Sequence, residues 1–258
     1  MVVRHLPVVY KSTTMPEGPS MVILKEAVAA FEGKKILEAT GNSKIDKSLL
    51  INRKVTFKTW GKHFLICLPK NTVRIHFLMF GSYSINEQTK PDRSLRLCLR
   101  FKNGTIYFYT CAVKFLEDDP DKIYDWSADV MNDDWDSTKA RKKLKAIPGT
   151  LVCDALLDQQ IFAGVGNIIK NEVLYRTKIH PETAIRNLPP RKLSQMIKEA
   201  RQYSFDFFEW KKIFQLKKHW LAHTKKICLR CNLPIIKKHT GKNKRRSFFC
   251  ENCQVLYE

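Results

Sequence analysis

Early in the chain, apolar residues recur at helical spacing. Over 21–32 (MVILKEAVAAFE), Val22, Ile23, Leu24, Ala27, Val28 and Phe31 form one stripe, and Gly33 follows as a natural stop. From about 35 to 115 the pattern becomes strand-like. KVTFKTW, KHFLICL, TVRIHFLMF, SLRLCLRF and TIYFYTCAV are short, rich in β-branched and aromatic residues, and separated by turn signals. Asn103-Gly104 is the sharpest hairpin signal. Five such segments with no helices between them predict an antiparallel sandwich or barrel. Residues 117–136 (EDDPDKIYDWSADVMNDDWD) are acidic and irregular and read as a linker with a helical turn. Helical spacing then returns in TKARKKLKAI, CDALLDQQIF, IIKNEVLYRT and the long stretch 189–216. The predicted class is α+β: an N-terminal antiparallel β-sandwich with a flanking helix, then a helical domain and a small C-terminal hairpin.

Composition adds a partner class. The 258 residues include 46 Lys and Arg against 25 Asp and Glu, a net charge of +21, concentrated toward the C-terminal half. That excess suits a polyanion, either nucleic acid or an anionic membrane surface. No apolar run approaches the length of a membrane span, and the opening MVVRHLPVVYKSTT is too short and interrupted for a signal peptide. A soluble, intracellular, monomeric protein that meets nucleic acid and no membrane is the expectation, in cytoplasm or nucleoid, or in a nucleus.

The eight cysteines divide evenly. Cys67, Cys98, Cys111 and Cys153 lie scattered among apolar residues and read as buried thiols. The other four fall within the last 31 residues, as Cys228-x2-Cys231, eighteen residues, then Cys250-x2-Cys253. Two such knuckles close a tetrahedral site that is structural rather than catalytic, and zinc is the expected ion, with no other cofactor. Two disulfides are the alternative, disfavoured in a reducing compartment. Lys225, Lys226, Arg230, Lys237 and Lys238 would favour thiolates, and His239 is a spare ligand. Between the knuckles, HTGKNKRRSFFC resembles two strands and a basic turn over Phe248 and Phe249. Such a turn suits either a phosphate backbone or plain solvent.

Residues 154–181 (DALLDQQIFAGVGNIIKNEVLYRTKIHP) read as two helices joined by Ala163-Gly164-Val165-Gly166-Asn167. The glycines allow close approach. Asn167 stands where the second helix starts. It is either beside an anion site of outward backbone N–H groups or simply an N-cap.

Here the chain resembles a family. LLDQQIFAGVGNIIKNEVLYRTKIHP is similar to the helix-two-turn-helix motif of the formamidopyrimidine-DNA glycosylase and endonuclease VIII family, and RRSFFCENCQ resembles the end of that family's zinc finger. The order of parts agrees over residues 15 to 254. The resemblance implies a domain plan: an extension at 1–14, a β-rich catalytic domain at 15–116, a linker at 117–136, the helical DNA-binding domain at 137–220 and the finger at 221–258.

The resemblance also implies a reaction: base-excision repair by a DNA glycosylase and abasic-site lyase acting on damaged DNA. Met15-Pro16-Glu17-Gly18-Pro19 matches the family's start. A free N-terminal proline is a secondary amine able to attack C1′ and form a Schiff base, and Glu17 beside it can move protons. By the same register Lys62 assists elimination, and Arg245 holds phosphate and supports the second elimination (β/δ). His76 and Asn167 match phosphate contacts. Met79 matches the side chain that fills the gap left by an everted nucleotide. Taken singly, Pro16 also fits a turn, Lys62 a strand edge, and His76 and Met79 ordinary core.

Two departures stand out. Fourteen residues precede Met15, and with them attached the nitrogen of Pro16 is an amide, so the expectation is that the mature protein lacks them. Ser20 stands where the family usually has glutamate. FYTCAVKFLEDD also lacks the Asp-Pro-Arg-Arg-Phe-Gly segment of the formamidopyrimidine branch, which points to the endonuclease VIII branch and oxidised pyrimidines. Two alternatives are a catalytically inactive lesion-binding relative, should the extension be retained, and a zinc-finger adaptor for proteins.

Overall fold

A computed structural model describes residues 15–258; the extension 1–14 lies outside the described residues. The chain divides into two compact units. One holds Pro16 and Ser20–Tyr124; the other holds Glu17–Pro19 and Asp125–Glu258.

The first unit begins in helix α1 (Gly18–Ala27), whose first two residues belong to the second unit. A short 3-10 turn carries the stripe on to Phe31, and Gly33 stops it at φ +70°. Eight strands follow: β1 (Glu38–Thr40), β2 (Thr56–Trp60), β3 (His63–Cys67), β4 (Thr72–His76), β5 (Ser82–Ile85), β6 (Leu95–Phe101), β7 (Gly104–Tyr109) and β8 (Ala112–Phe115). They form two antiparallel sheets, ordered β1-β6-β7-β5 and β2-β3-β4-β8. Period-2 patterning is cleanest in β6, where Leu95, Leu97, Leu99 and Phe101 are buried and Arg96, Cys98 and Arg100 are not. One core joins both sheets to α1, with Met21, Leu24, Phe64, Ile75, Leu97 and Phe108 all fully buried. Burying each such side chain stabilises by about 1.5–3 kcal/mol. The unit closes with α2 (Pro120–Ile123), capped by the Asp119 carboxylate.

Two strand expectations need correction. The strand expected through Phe80 ends at His76, because Leu78 takes a left-handed φ of 54°. The single strand expected over 105–113 is two strands in different sheets. Thr110 (φ 49°) turns the chain between them, and Cys111 is buried at the crossing. Cys67 and Cys98 are half-buried, while Cys111 and Cys153 are buried as expected.

The second unit holds α3 (Ser137–Lys145), α4 (Val152–Ala155), α5 (Asn167–Thr177), α6 (Pro190–Lys212) and a hairpin of β9 (Ile236–Thr240) and β10 (Arg245–Phe249). Asp136 caps α3 by accepting from the N–H groups of Thr138 and Lys139. Proline opens α6, which buries Leu193, Met196, Ile197, Ala200, Tyr203 and Phe207 along one face. The helix expected over 153–162 is a single turn. Asp158 and Gln159 divert the backbone: Asp158 accepts from Gln160 N (2.8 Å), while Gln159 donates to Leu157 O (2.8 Å) and accepts from Gly164 N (3.1 Å). No helix among the described residues is long and apolar enough to cross a membrane.

Candidate active site

In the second unit the chemistry gathers at the start of α5. Gly166 is the N-cap, and Asn167 is the first helical residue. The helix N-terminus is not open. Glu17, 2% exposed, accepts hydrogen bonds from the N–H groups of Gly166 (3.1 Å), Ile168 (2.8 Å) and Ile169 (3.2 Å). The anion at this helix end is therefore the chain's own carboxylate, which corrects the expectation of outward N–H groups. Both glycines serve that contact. Gly18 N–H donates to Gly164 O at 2.9 Å, and a Cβ on Gly166 would lie 2.4 Å from the Glu17 carboxyl carbon. Asn167 is 7% exposed, and its Oδ1 has no hydrogen-bond partner among the described residues. Pro16, half-buried, directly precedes Glu17, and Ser20 is buried in α1.

One turn further on, α5 carries three buried polar residues that sequence reasoning passed over. Lys170 Nζ donates to Ser247 Oγ (2.9 Å) and Arg246 O (3.2 Å). Asn171 Oδ1 accepts from Phe248 N (3.2 Å). Glu172 accepts from the N–H groups of Leu221, Ala222 and His223 at 2.9, 3.0 and 2.8 Å. Burial pulls the Lys170 ammonium down to about 8 and raises the Glu172 carboxyl. Burial likewise pulls Lys211 down to about 8, against the Glu17 charge. Their partners lie 49 to 77 residues away, so no local signal in the sequence marks them.

These bonds hold the hairpin. Arg245 opens β10, exposed, in register with Thr240, while Phe248 and Phe249 pack beneath. Asp154 grips the hairpin's turn from α4, accepting from Lys242 N (2.7 Å), Asn243 N (3.3 Å) and Asn243 Nδ2 (3.2 Å). The sulfur atoms of Cys228, Cys231, Cys250 and Cys253 all lie within 4.8 Å of one another. All four are free thiols, with Cys228 to Cys253 at 3.8 Å and Cys231 to Cys250 at 3.4 Å. A tetrahedron with metal–sulfur bonds of about 2.3 Å has edges of about 3.8 Å, so the set fits a tetrahedral metal ion.

Burial pushes the Cys228 thiol up, but the Tyr175 hydroxyl and backbone N–H groups outweigh it and bring it down to about 6. Burial and the neighbouring sulfurs push Cys253 up to about 12. A cation at the centre of the four sulfurs would stabilise all of them as thiolates. The Tyr175 hydroxyl lies 3.2 Å from Cys228 Sγ, and Arg230 stacks on the Tyr175 ring at 3.9 Å. His239 turns away to Lys244 O (2.8 Å) and is not in the cluster.

In the first unit, the sequence-predicted residues collect at one end of a sheet. Lys62 immediately precedes β3, whose first residue, His63, pairs with His76, the last of β4. His63 Nδ1 lies 3.0 Å from the Tyr124 hydroxyl, and Trp60 stacks on Tyr124. Burial, then Arg74, His76 and Lys62, pull His63 down to about 3; burial, then Lys62 and Arg74, lower His76. Both imidazoles are neutral acceptors or donors at neutral pH. His76 Nδ1 accepts from Leu78 N at 3.2 Å. Met79 is 52% exposed, so it is not core. His63, Arg74 and Tyr124 were missed: the β3–β4 register pairs His63 with His76, and Tyr124 arrives from the end of α2, 61 residues beyond His63.

Comparisons with known proteins agree with both units. The formamidopyrimidine-DNA glycosylase N-terminal domain matches residues 15–117, and the formamidopyrimidine-DNA glycosylase H2TH domain matches 127–203. The formamidopyrimidine-DNA glycosylase of Mycoplasmopsis pulmonis is 30% identical over 283 residues, covering 93% of this chain and 98% of its own. Endonuclease 8-like 3 of Mus musculus is 29% identical over 204 residues, 76% of this chain and 34% of its own. The chain thus spans about a third of the length of that relative. Among solved structures, a viral DNA glycosylase superposes with a TM-score of 0.80 at 20% identity, covering 93% of this chain and 100% of its own. The Lactococcus lactis formamidopyrimidine DNA glycosylase, non-covalently bound to DNA containing an AP site, gives 0.80 at 19% identity, over 92% of this chain and 99% of its own. Both show the same fold.

Proposed function

Because this chain belongs to the formamidopyrimidine-DNA glycosylase and endonuclease VIII family, we propose that it excises oxidised bases from DNA, pyrimidines preferred, and then cleaves the abasic site. The observation that carries the reading is Glu17, buried against three N–H groups of the helix-two-turn-helix segment. A mere N-terminal turn has no need of a buried carboxylate so held, whereas a reactive amine at Pro16 needs a fixed acid–base group beside it.

In this reading the Pro16 nitrogen bonds to C1′ as the bond from C1′ to the base breaks, and the departing base takes a proton. O4′ takes up a proton as the sugar ring opens, leaving an iminium ion between C1′ and the Pro16 nitrogen. Loss of a C2′ proton then expels the 3′ phosphate, loss of the C4′ proton expels the 5′ phosphate, and water hydrolyses the iminium to free the Pro16 amine. Glu17 moves protons at the sugar and amine, and Lys62 assists elimination. Arg245 holds phosphate and supports the second elimination. His76 and Asn167 bind flanking phosphates, and Met79 fills the gap. Zinc on Cys228, Cys231, Cys250 and Cys253 holds the Arg245 hairpin and takes no part in the chemistry. The partner is damaged DNA, met by a monomer inside the cell.

The chemistry also requires Pro16 to be a free amine, so the residues up to Met15 must be absent from the active form. Borohydride trapping on abasic-site DNA tests the whole reading. Protein beginning at Pro16 is expected to form a covalent adduct, lost in Pro16→Gly. No adduct, with lesion binding retained, overturns catalysis. Native protein whose N-terminal mass includes Met1 does the same.

A further inference from the structure

In the first unit, β8 stands at the end of its sheet and pairs with β4 alone among the described strands. Leu116 N–H donates to Thr72 O at 2.8 Å. Antiparallel bonding alternates, so Lys114 and Ala112 also direct their backbone groups to β4. Val113 and Phe115 direct theirs the other way, where neither has a backbone partner among the described residues. Beside this open edge runs a groove of about 530 Å³, bounded by Lys44, Ile45 and Leu49 from the segment after β1, by Arg96 of β6, and by Lys114 and Phe115 of β8. Its floor is apolar. Ile45 and Phe115 are half-buried against the core, and Leu49 is 46% exposed. Its rim is cationic. Lys44 and Lys114 are exposed, and Arg96 donates to the neutral Asn42 Oδ1 at 2.7 Å. None of these three cations is in a salt bridge among the described residues. The one carboxylate lining the groove, Asp46, is turned to Ser48, accepting from its N–H (3.0 Å) and its hydroxyl (2.6 Å).

We propose that this edge docks an acidic peptide strand of another protein, in which carboxylate and apolar side chains alternate. Strand addition draws its affinity from main-chain bonds and its selectivity from side-chain contacts. β8 has 4 residues, so about 13 Å of strand is on offer, enough for a short segment. The N–H and C=O groups of Val113 and Phe115 pair with the incoming main chain. Ile45, Leu49 and Phe115 take its apolar side chains, and Lys44, Arg96 and Lys114 meet its carboxylates. A second copy of this chain fits poorly: the register that pairs Val113 with Phe115 across two β8 strands sets one Lys114 opposite the other. DNA fits poorly as well. A phosphate backbone offers no N–H donor to the strand's C=O groups and nothing apolar to Leu49.

The test uses the full chain and a fluorescein-labelled, end-capped heptapeptide of alternating glutamate and valine. The peptide is expected to raise anisotropy saturably and to slow hydrogen exchange at the Val113 and Phe115 amides. Lys114→Glu and Leu49→Asp, both on exposed side chains, are each expected to weaken binding roughly tenfold with an unchanged melting temperature. An ester-backbone analogue, which lacks N–H donors, is expected to lose about as much. No saturable binding at millimolar peptide overturns the proposal, as does equal binding by the ester analogue or by a peptide of alternating lysine and valine. An equal loss of duplex-DNA affinity in Lys114→Glu assigns the cations to DNA and overturns it too. So does a self-associated parent whose Val113 and Phe115 amides are protected without peptide.

Discussion

The two units hold their polar groups in opposite ways. In the second, Glu17, Lys170, Asn171, Glu172 and Asp154 are each tied to backbone atoms of another segment. In the first, Lys62, His76 and the Met79 turn sit at a sheet end, supported mainly by strand register. Buried polar networks position groups accurately but fail badly when one member is lost. A sheet end over an apolar core tolerates more change. The second unit should therefore be the fragile one.

The largest expected effect is metal removal. Structural zinc in such fingers is worth about 10–16 kcal/mol, so a chelator, or Cys250→Ser, should unfold the hairpin and abolish DNA binding. Hydrogen exchange resolved by segment should show Ile236–Phe249 opening while β2–β4 stay protected. Equal exposure of both regions would break the comparison.

Next is Glu172→Ala. It leaves three buried N–H groups without their carboxylate, at a cost of about 3–5 kcal/mol, readable as a lower urea midpoint. Glu172→Gln keeps one acceptor and should lose less. If the two variants match the parent, the bracing of the 221–223 segment is not what holds the second unit.

The smallest effect concerns the first unit and is a pH dependence. His63 is held down to about 3 when folded against 6.5 for an ordinary histidine, so below pH 6.5 the unfolded chain binds the extra proton. The stability this site contributes is present above pH 6.5 and is lost as pH falls from there toward 3. His63→Gln should flatten that slope in thermal melts, unless the acid sensitivity lies in the second unit.

Much was readable along the chain, for local reasons. The strand segments announce themselves by alternation, as in LRLCLRF, and α6 by its stripe. Errors came where a local bond or a positive φ outranked periodicity: Asp158 and Gln159 ended a helix, and Leu78 and Thr110 ended strands. The buried Lys170, Asn171 and Glu172 went unread because their partners lie 49 to 77 residues away.

By itself, then, the sequence determined the order of parts and the four-cysteine cluster, because hydrophobic period and knuckle spacing are written in neighbouring residues. Tertiary structure alone decided what occupies the N-terminus of α5, what grips the Arg245 turn, and that Met79 faces water. Each depends on segments far apart in the chain arriving within hydrogen-bonding distance, or on none arriving at all.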